Sequence, residues 1–464
     1  MGVCPAQPKP LGAAPPTEDK SRMDRRTLML SAGALVAAAA AGARAQPARD
    51  ALAALADPGR KASVLGVAMI ARDRGGQVVL AEAHGRGVQG EGAARRERPL
   101  TLDTPARVAS ISKLVATAGL MTLLRDGYGM KMDASDPLDF VLRHPLEPNR
   151  PITLERLASH TSGLRNAADF PVPAGRRLED ALLPGRPNYD GGDWWSKPGV
   201  PTDSFAYSDA NFAVLAQVIE GLSGERFDRY MTHHLFRPLG LDAGYNWSGV
   251  SQAKRDLATA CCRPKQGVWT AEVDAVVPPA PAARIFAAPE RPGLTSADIR
   301  PRENGFALAP QGGLRASVRD LDRLAVTFRD AARGRRGLPL DTRDLSAMAY
   351  QPEWRFNGTN GETEGGLYLA YGLGVQIPTG VPGPQGDAFF GADSSHWRGH
   401  FGEAYGLVSG MFWNTRDRRT LSWMINGTPG EATETPGRRS ALSPWEEAAI
   451  DAGLAAQAPR RRNR

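Results

Sequence analysis

Cysteine is nearly absent from this 464-residue chain, which carries only Cys4 and the adjacent pair Cys261-Cys262. A disulfide framework is therefore excluded, and because neighbouring cysteines close only a strained ring, the pair reads as two free thiols. Metal-ligand spacing is missing as well. None of the seven histidines stands in a His-Glu-x-x-His or comparable pattern, so neither a metal nor another cofactor is expected. No Gly-x-Ser-x-Gly elbow occurs anywhere, which removes the α/β-hydrolase architecture with its Ser-His-acid triad. Beyond residue 45 no apolar run is long enough to span a bilayer.

A net positive body is also lacking, although the formal charge is +7. Residues 1–45 hold six Lys/Arg against three Asp/Glu, and Arg460, Arg461, Arg462 and Arg464 supply four more positives, which accounts for the whole excess. The stretch between them is neutral and exerts no overall pull on a polyanion, so nucleic acid is discarded as a partner.

What is present begins with Asp24-Arg25-Arg26-Thr27-Leu28-Met29, followed by an Ala-rich apolar run from Leu30 to Gly42 and by Ala43-Arg44-Ala45. Paired arginines, a short apolar run and small residues at the end form an export signal of the twin-arginine kind. It implies a periplasmic protein whose mature chain starts near Gln46. The expected organisation is a signal region over 1–45, one domain over 46–455 and a basic tail over 456–464. Hydrophobic content of 42% allows a large core.

Within the domain, Val64 to Ile70 and Val78 to Ala83 flank the turn Arg72-Asp73-Arg74-Gly75-Gly76, and Leu407 to Trp413 and Leu421 to Asn426 flank Thr415-Arg416-Asp417-Arg418-Arg419. Both read as hairpins. Between them Ile111, Leu114, Val115, Ala118 and Met121 recur at helical spacing up to Gly127, as do Phe212, Leu215, Ile219 and Leu222. Six prolines between Val276 and Pro310 predict a surface excursion. Strands at both ends with helices between them predict an α+β fold. Its antiparallel sheet draws on the N- and C-terminal segments, with flanking helices and a mainly helical insert over about 133–300.

The chemistry centres on Ser110-Ile111-Ser112-Lys113. Positions i and i+3 share a helix face, so the Lys113 amine reaches the Ser110 hydroxyl while Ser112 points away. Serine needs a neighbouring base, and a lysine serves if burial lowers its pKa. The helix N-terminus adds positive potential where an oxyanion develops. The alternative is an ordinary N-cap serine with Lys113 in solvent. A second Ser-x-x-Lys, Ser251-Gln252-Ala253-Lys254, lacks a long apolar helix behind it and reads as a decoy.

Five segments resemble the serine β-lactamase and penicillin-binding-protein family, which includes class C β-lactamases, DD-peptidases and esterases. They are Pro99 to Ser110, Leu157 to Leu164 (Leu-Ala-Ser-His-Thr-Ser-Gly-Leu), Phe205-Ala206-Tyr207-Ser208-Asp209, Gln311 to Ser317, and Gly399-His400-Phe401-Gly402. They stand in the family's order across about residues 60–430. The resemblance implies a β-lactamase/transpeptidase-like fold and makes Tyr207 the phenol that shares a proton with Ser110 and Lys113. It also implies an oxyanion hole from the backbone N–H groups of Ser110 and Glu403, beside Gly402. Two positions depart from the family's pattern. Asp209 replaces its usual Asn, and a carboxylate only accepts hydrogen bonds, so Asp209 either pairs with Lys113 or caps the following helix. His400 replaces the lysine that helps hold a substrate carboxylate, and a neutral imidazole holds it less strongly.

The implied activity is hydrolysis of a small ester, amide or peptide through an acyl-serine intermediate, most simply as an esterase. A D-amino-acid peptidase, DD-carboxypeptidase or β-lactamase is the alternative. A catalytically silent protein that binds cell-wall fragments or a partner is the non-enzymatic one.

Overall fold

The computed structural model describes residues 45–459, apart from 126–141, 168–176, 275–298 and several gaps of four residues or fewer. The export segment over 1–44, the helix stop at Gly127 and most of the proline-rich excursion lie outside the described residues. Residues Ala45–Arg464 form one compact unit.

Strands β1 (Gly66–Arg72), β2 (Val78–Gln89) and β3 (Arg96–Pro99) come from the N-terminal end, and β4 (Trp397–Ala404), β5 (Leu407–Asn414) and β6 (Thr420–Asn426) from the C-terminal end. They form one antiparallel sheet in the order β4-β5-β6-β1-β2-β3. The two ends of the chain are joined where β1 meets β6, from Gly66 opposite Asn426 to Arg72 opposite Thr420.

A half-exposed strand alternates apolar and polar residues, but β5 and β6 are buried at every position and β1 at all but Arg72. Both faces of the sheet are covered. Val67, Met69, Trp423 and Ile425 share a cluster with Leu52 of a helix over 45–55 and with Trp445, Ala449 and Ile450 of helix α4 (Pro444–Gln457). The alternate residues Ala68, Ile70 and Met424 pack with Val318, at the start of helix α3 (Val318–Ala332). Gly410 has no room for a side chain, since a Cβ there would lie 2.1 Å from the Trp423 ring.

The helical lobe packs around α1 (Ile111–Leu123), whose thirteen residues are all buried, and α2 (Asp209–Ser223). The insert departs from its expected helical character at its end. Cys261–Lys265 and Val268–Val273 form a hairpin about Gln266-Gly267, which both have positive φ (50° and 79°). Such a turn matches the twist of the paired strands. Cys261 and Cys262 are buried free thiols. No described helix is long and apolar enough to cross a membrane.

Candidate active site

Ser110 stands at the N-cap of α1 but makes no side-chain capping bond, so its hydroxyl is left for other work. The backbone leading to it is held from two sides. Val108 N–H donates to Leu314 O at 2.9 Å, and Ser409 Oγ donates to Val108 O at 2.9 Å. Ser112 Oγ donates to Ala109 O at 2.6 Å and accepts the Leu314 N–H at 2.9 Å. Between these anchors Ala109 adopts φ 51°, a left-handed conformation that a non-glycine residue keeps only when its surroundings enforce it.

Lys113 is 1% exposed, and its three ammonium donors meet three acceptors: Ser110 Oγ at 3.1 Å, Gln311 O at 3.0 Å and Asp209 Oδ1 at 2.7 Å. Burial alone lowers its pKa. The Asp209 carboxylate and the Tyr207 hydroxyl outweigh that and hold Lys113 above its ordinary value. This differs from the sequence expectation of a lysine with lowered pKa, because the pairing with Asp209, one of two options there, outweighs burial. The choice open for Asp209 resolves toward the ion pair, since the N-cap of α2 is Ser208. Asn211 turns the other way, accepting from Ser162 Oγ at 2.6 Å inside the lobe.

The Tyr207 ring centroid lies 4.6 Å from Lys113 Nζ; the ring stacks on Tyr368 at a centroid distance of 4.8 Å and meets His160 in a tilted contact at 4.4 Å. Its hydroxyl is buried without a hydrogen-bond partner among the described residues. His160 is fixed by the Ser208 N–H, which donates to its Nδ1 at 3.0 Å. Burial and the nearby Lys113 keep His160 well below its ordinary pKa, so the ring is neutral.

Strand β4 closes the other side. A Cβ on Gly402 would sit 2.3 Å from Val108 O and 3.2 Å from Ser110 N, so only glycine lets the strand lie this close to the nucleophile's backbone. The Glu403 carboxylate accepts from Ala432 N–H at 3.0 Å. His400, expected to face substrate, is instead fully buried. Its Nδ1 donates to Phe401 O, and its Nε2 accepts from Tyr371 Oη at 2.8 Å. Burial pushes its pKa down to about 3, so it is a neutral member of the packing. A cavity of about 160 Å³ opens on Ser110, lined by Tyr207, Glu364, Tyr368, Phe401, Gly402, Glu403, Ser443 and Glu446 among others. His400 is not among its walls.

The second Ser-x-x-Lys behaves differently. Ser251 caps the short helix Gln252–Arg255, Lys254 pairs with Asp320, and none of the three lines this cavity. Among the described residues no cluster of His, Cys, Asp or Glu could hold a metal ion. The chain matches the Beta-lactamase family over residues 48–443. It belongs to the beta-lactamase family.

Among curated relatives within reach of this beta-lactamase-family chain is penicillin-binding protein 4 of Amycolatopsis lactamdurans. It is 32% identical over 151 residues, 31% of this chain and 36% of that protein. A D-aminopeptidase of Brucella anthropi is 28% identical over 176 residues, 38% of this chain and 31% of that protein. The matched stretches thus span about a third of these relatives' length. EstCE1, a hydrolase with promiscuous acyltransferase activity, superimposes with a TM-score of 0.59 at 18% identity, covering 90% of this chain and all of that one. At that identity the likeness shows the fold alone, a mixed helix and antiparallel-sheet architecture shared across the family.

Sequence reasoning missed Glu364, Tyr368 and Glu446. The Ser443-Pro444-Trp445-Glu446 capping box was legible as a helix start, but nothing in it shows that the helix end borders a cavity on Ser110.

Proposed function

We propose that the protein is a serine hydrolase that cleaves an ester or amide bond through an acyl-serine intermediate on Ser110. The observation that carries this reading is the uncapped Ser110 hydroxyl, 3.1 Å from a buried Lys113 Nζ at the mouth of a cavity. A merely structural serine at this position would cap its helix, and a merely structural lysine would reach solvent.

With all three ammonium donors engaged, Lys113 cannot accept a proton in the resting state. The Lys113–Tyr207 pair first releases one proton to solvent and then takes the Ser110 proton as Oγ bonds to the substrate carbonyl carbon. The carbonyl oxygen carries the charge beside the N–H groups of Ser110 and Glu403. As the C–O or C–N bond breaks, the pair returns the proton to the departing alcohol or amine. Water then attacks the acyl ester, gives its proton to the same pair and releases the acid, with Ser110 regenerated.

Esterase-like work on a small acyl group is favoured over chemistry that anchors a substrate carboxylate, because His400 is buried and neutral. We also infer export, on the strength of Asp24 to Ala45. Turnover of 4-nitrophenyl acetate, a D-Ala-D-Ala peptide and a chromogenic cephalosporin by wild type and S110A tests the assignment. The ester is expected to be consumed fastest, and activity that survives S110A would overturn the reading.

A further inference from the structure

The helical lobe holds a second cavity, of about 530 Å³, that shares no residue with the one on Ser110. Its walls come from the short helix Phe227–Met231, the turn Thr232–Phe236 that continues it, and Ser248-Gly249. That turn is wider than an α-helical one, since the Arg237 N–H donates to Thr232 O, five residues back, at 3.0 Å. Arg229, His233 and Arg237 follow one another at a spacing of four, which sets them on one face, and all three line the cavity. The charges there do not cancel. Arg226, only 5% exposed, donates to Asp228 in a fork, Nε to Oδ1 at 2.6 Å and Nη2 to Oδ2 at 2.8 Å, and Asp228 also accepts from Asn246. Asp228 is the only carboxylate in the lining and is spent on that pair. Glu225, close by in sequence, is held between His233 Nδ1 at 2.9 Å and His234 Nε2 at 2.7 Å. Arg229 and Arg237 are exposed and form no ion pair with any described carboxylate, which leaves two uncompensated guanidinium charges in one concave wall.

We propose that this cavity is an anion site that holds a phosphate monoester between Arg229 and Arg237. A guanidinium presents its N–H donors as a planar fork that matches phosphoryl oxygens two at a time. Two such forks carry the charge that a monoester dianion neutralises near neutral pH. The volume lies within the range of small-molecule sites and leaves room for the organic part of the ester beside its phosphoryl group. The phosphoryl group belongs either to a soluble ester or to a lipid head group, since both offer the same oxygens. The site is separate from the catalytic one and does not depend on the hydrolase reading.

Titration calorimetry of the mature chain at low salt tests this, with glycerol 3-phosphate as probe and glycerol as its uncharged control. Wild type should bind the phosphate ester saturably at one site and glycerol not at all. R229Q and R237Q should each weaken binding by about tenfold, the worth of one charge-assisted hydrogen bond. Both side chains are exposed and outside any ion pair, so the variants should melt like wild type. R60Q alters an exposed arginine that lines neither cavity and should bind as wild type does, as should S110A. A second arm sediments the chain with phosphatidylcholine vesicles that contain or lack phosphatidic acid. Sedimentation that needs phosphatidic acid and is lost in R229Q and R237Q assigns the site to a lipid head group. Binding of glycerol 3-phosphate without sedimentation assigns it to a soluble ester. If neither the ester nor the vesicles bind, or if binding survives both R229Q and R237Q, the proposal is overturned.

Discussion

Lys113 decides the chemistry at the scale of single residues, and Asp209 decides Lys113. Burial by itself lowers the pKa of this amine, but the Asp209 carboxylate 2.7 Å away outweighs it and holds the pKa above its ordinary value. The form that acts as base is the deprotonated one, so a raised pKa delays activity to higher pH. Replacing Asp209 with Asn removes the anion and leaves burial unopposed. The rising limb of kcat/KM against pH should then move acidward by roughly one unit or more. An unmoved limb in D209N would mean that Lys113 is not the acceptor. Tyr207→Phe keeps the ring contacts with His160 and Tyr368 and removes only the hydroxyl, so the fold should stand while kcat falls by about 10²-fold or more. A Y207F enzyme as fast as wild type would take Tyr207 out of the proton path.

Among elements, the starts of α1 and α4 matter most, because both border the cavity. Glu446 couples the second of these to pH. Its pKa is about 7 in the folded protein against 4.5 for the free side chain. A raised carboxyl stabilises the fold fully below the unfolded value, and that contribution is lost as pH rises through the folded value. Because E446Q cannot ionise, its stability should gain on wild type between pH 4.5 and 7, by on the order of 3 kcal/mol. Parallel stability curves from denaturant unfolding at pH 5 and pH 7.5 would contradict this. Strand β4 carries a steric prediction: Gly402→Ala must push aside Val108 O, which a Cβ would meet at 2.3 Å, so acylation should be lost or severely slowed even where the variant melts near wild type. Rapid acylation by G402A would show that the strand is free to shift.

The same elements show where sequence reading reached and where it stopped. Helices α1 and α2 and both terminal hairpins were legible because each is specified by local periodicity and a nearby turn. The 261–273 hairpin was passed over because Gln266-Gly267 is a less familiar signal than Asn-Gly, although Gly267 with Val268, Trp269 and Thr270 after it was there to be read. The place of His400 was misjudged because its partner Tyr371 lies 29 positions away, beyond any local pattern. The cavity walls were invisible for the same reason, since they gather residues 364–368, 401–403 and 432–446 around residue 110.

For the whole molecule, the decisive feature is the seam between β1 and β6, which ties Gly66 to Asn426. Neither end of the chain can complete the sheet alone, and pairings so distant in sequence form late. A fragment over residues 46–396 should therefore lack a cooperative thermal transition, and one that melts sharply like the full chain would show that the helical lobe folds independently. The seam also explains why the site exists at all, because it brings β4 against the start of α1, where Gly402 meets the backbone of Ser110. The central claim is that this meeting point is a serine nucleophile, and covalent labelling tests it most directly. Mature protein treated with a fluorophosphonate and analysed by intact mass and peptide mapping should carry one adduct, on Ser110, that disappears in S110A and forms far more slowly in Lys113→Ala. An adduct on any other residue, or one that persists in S110A, would contradict the account.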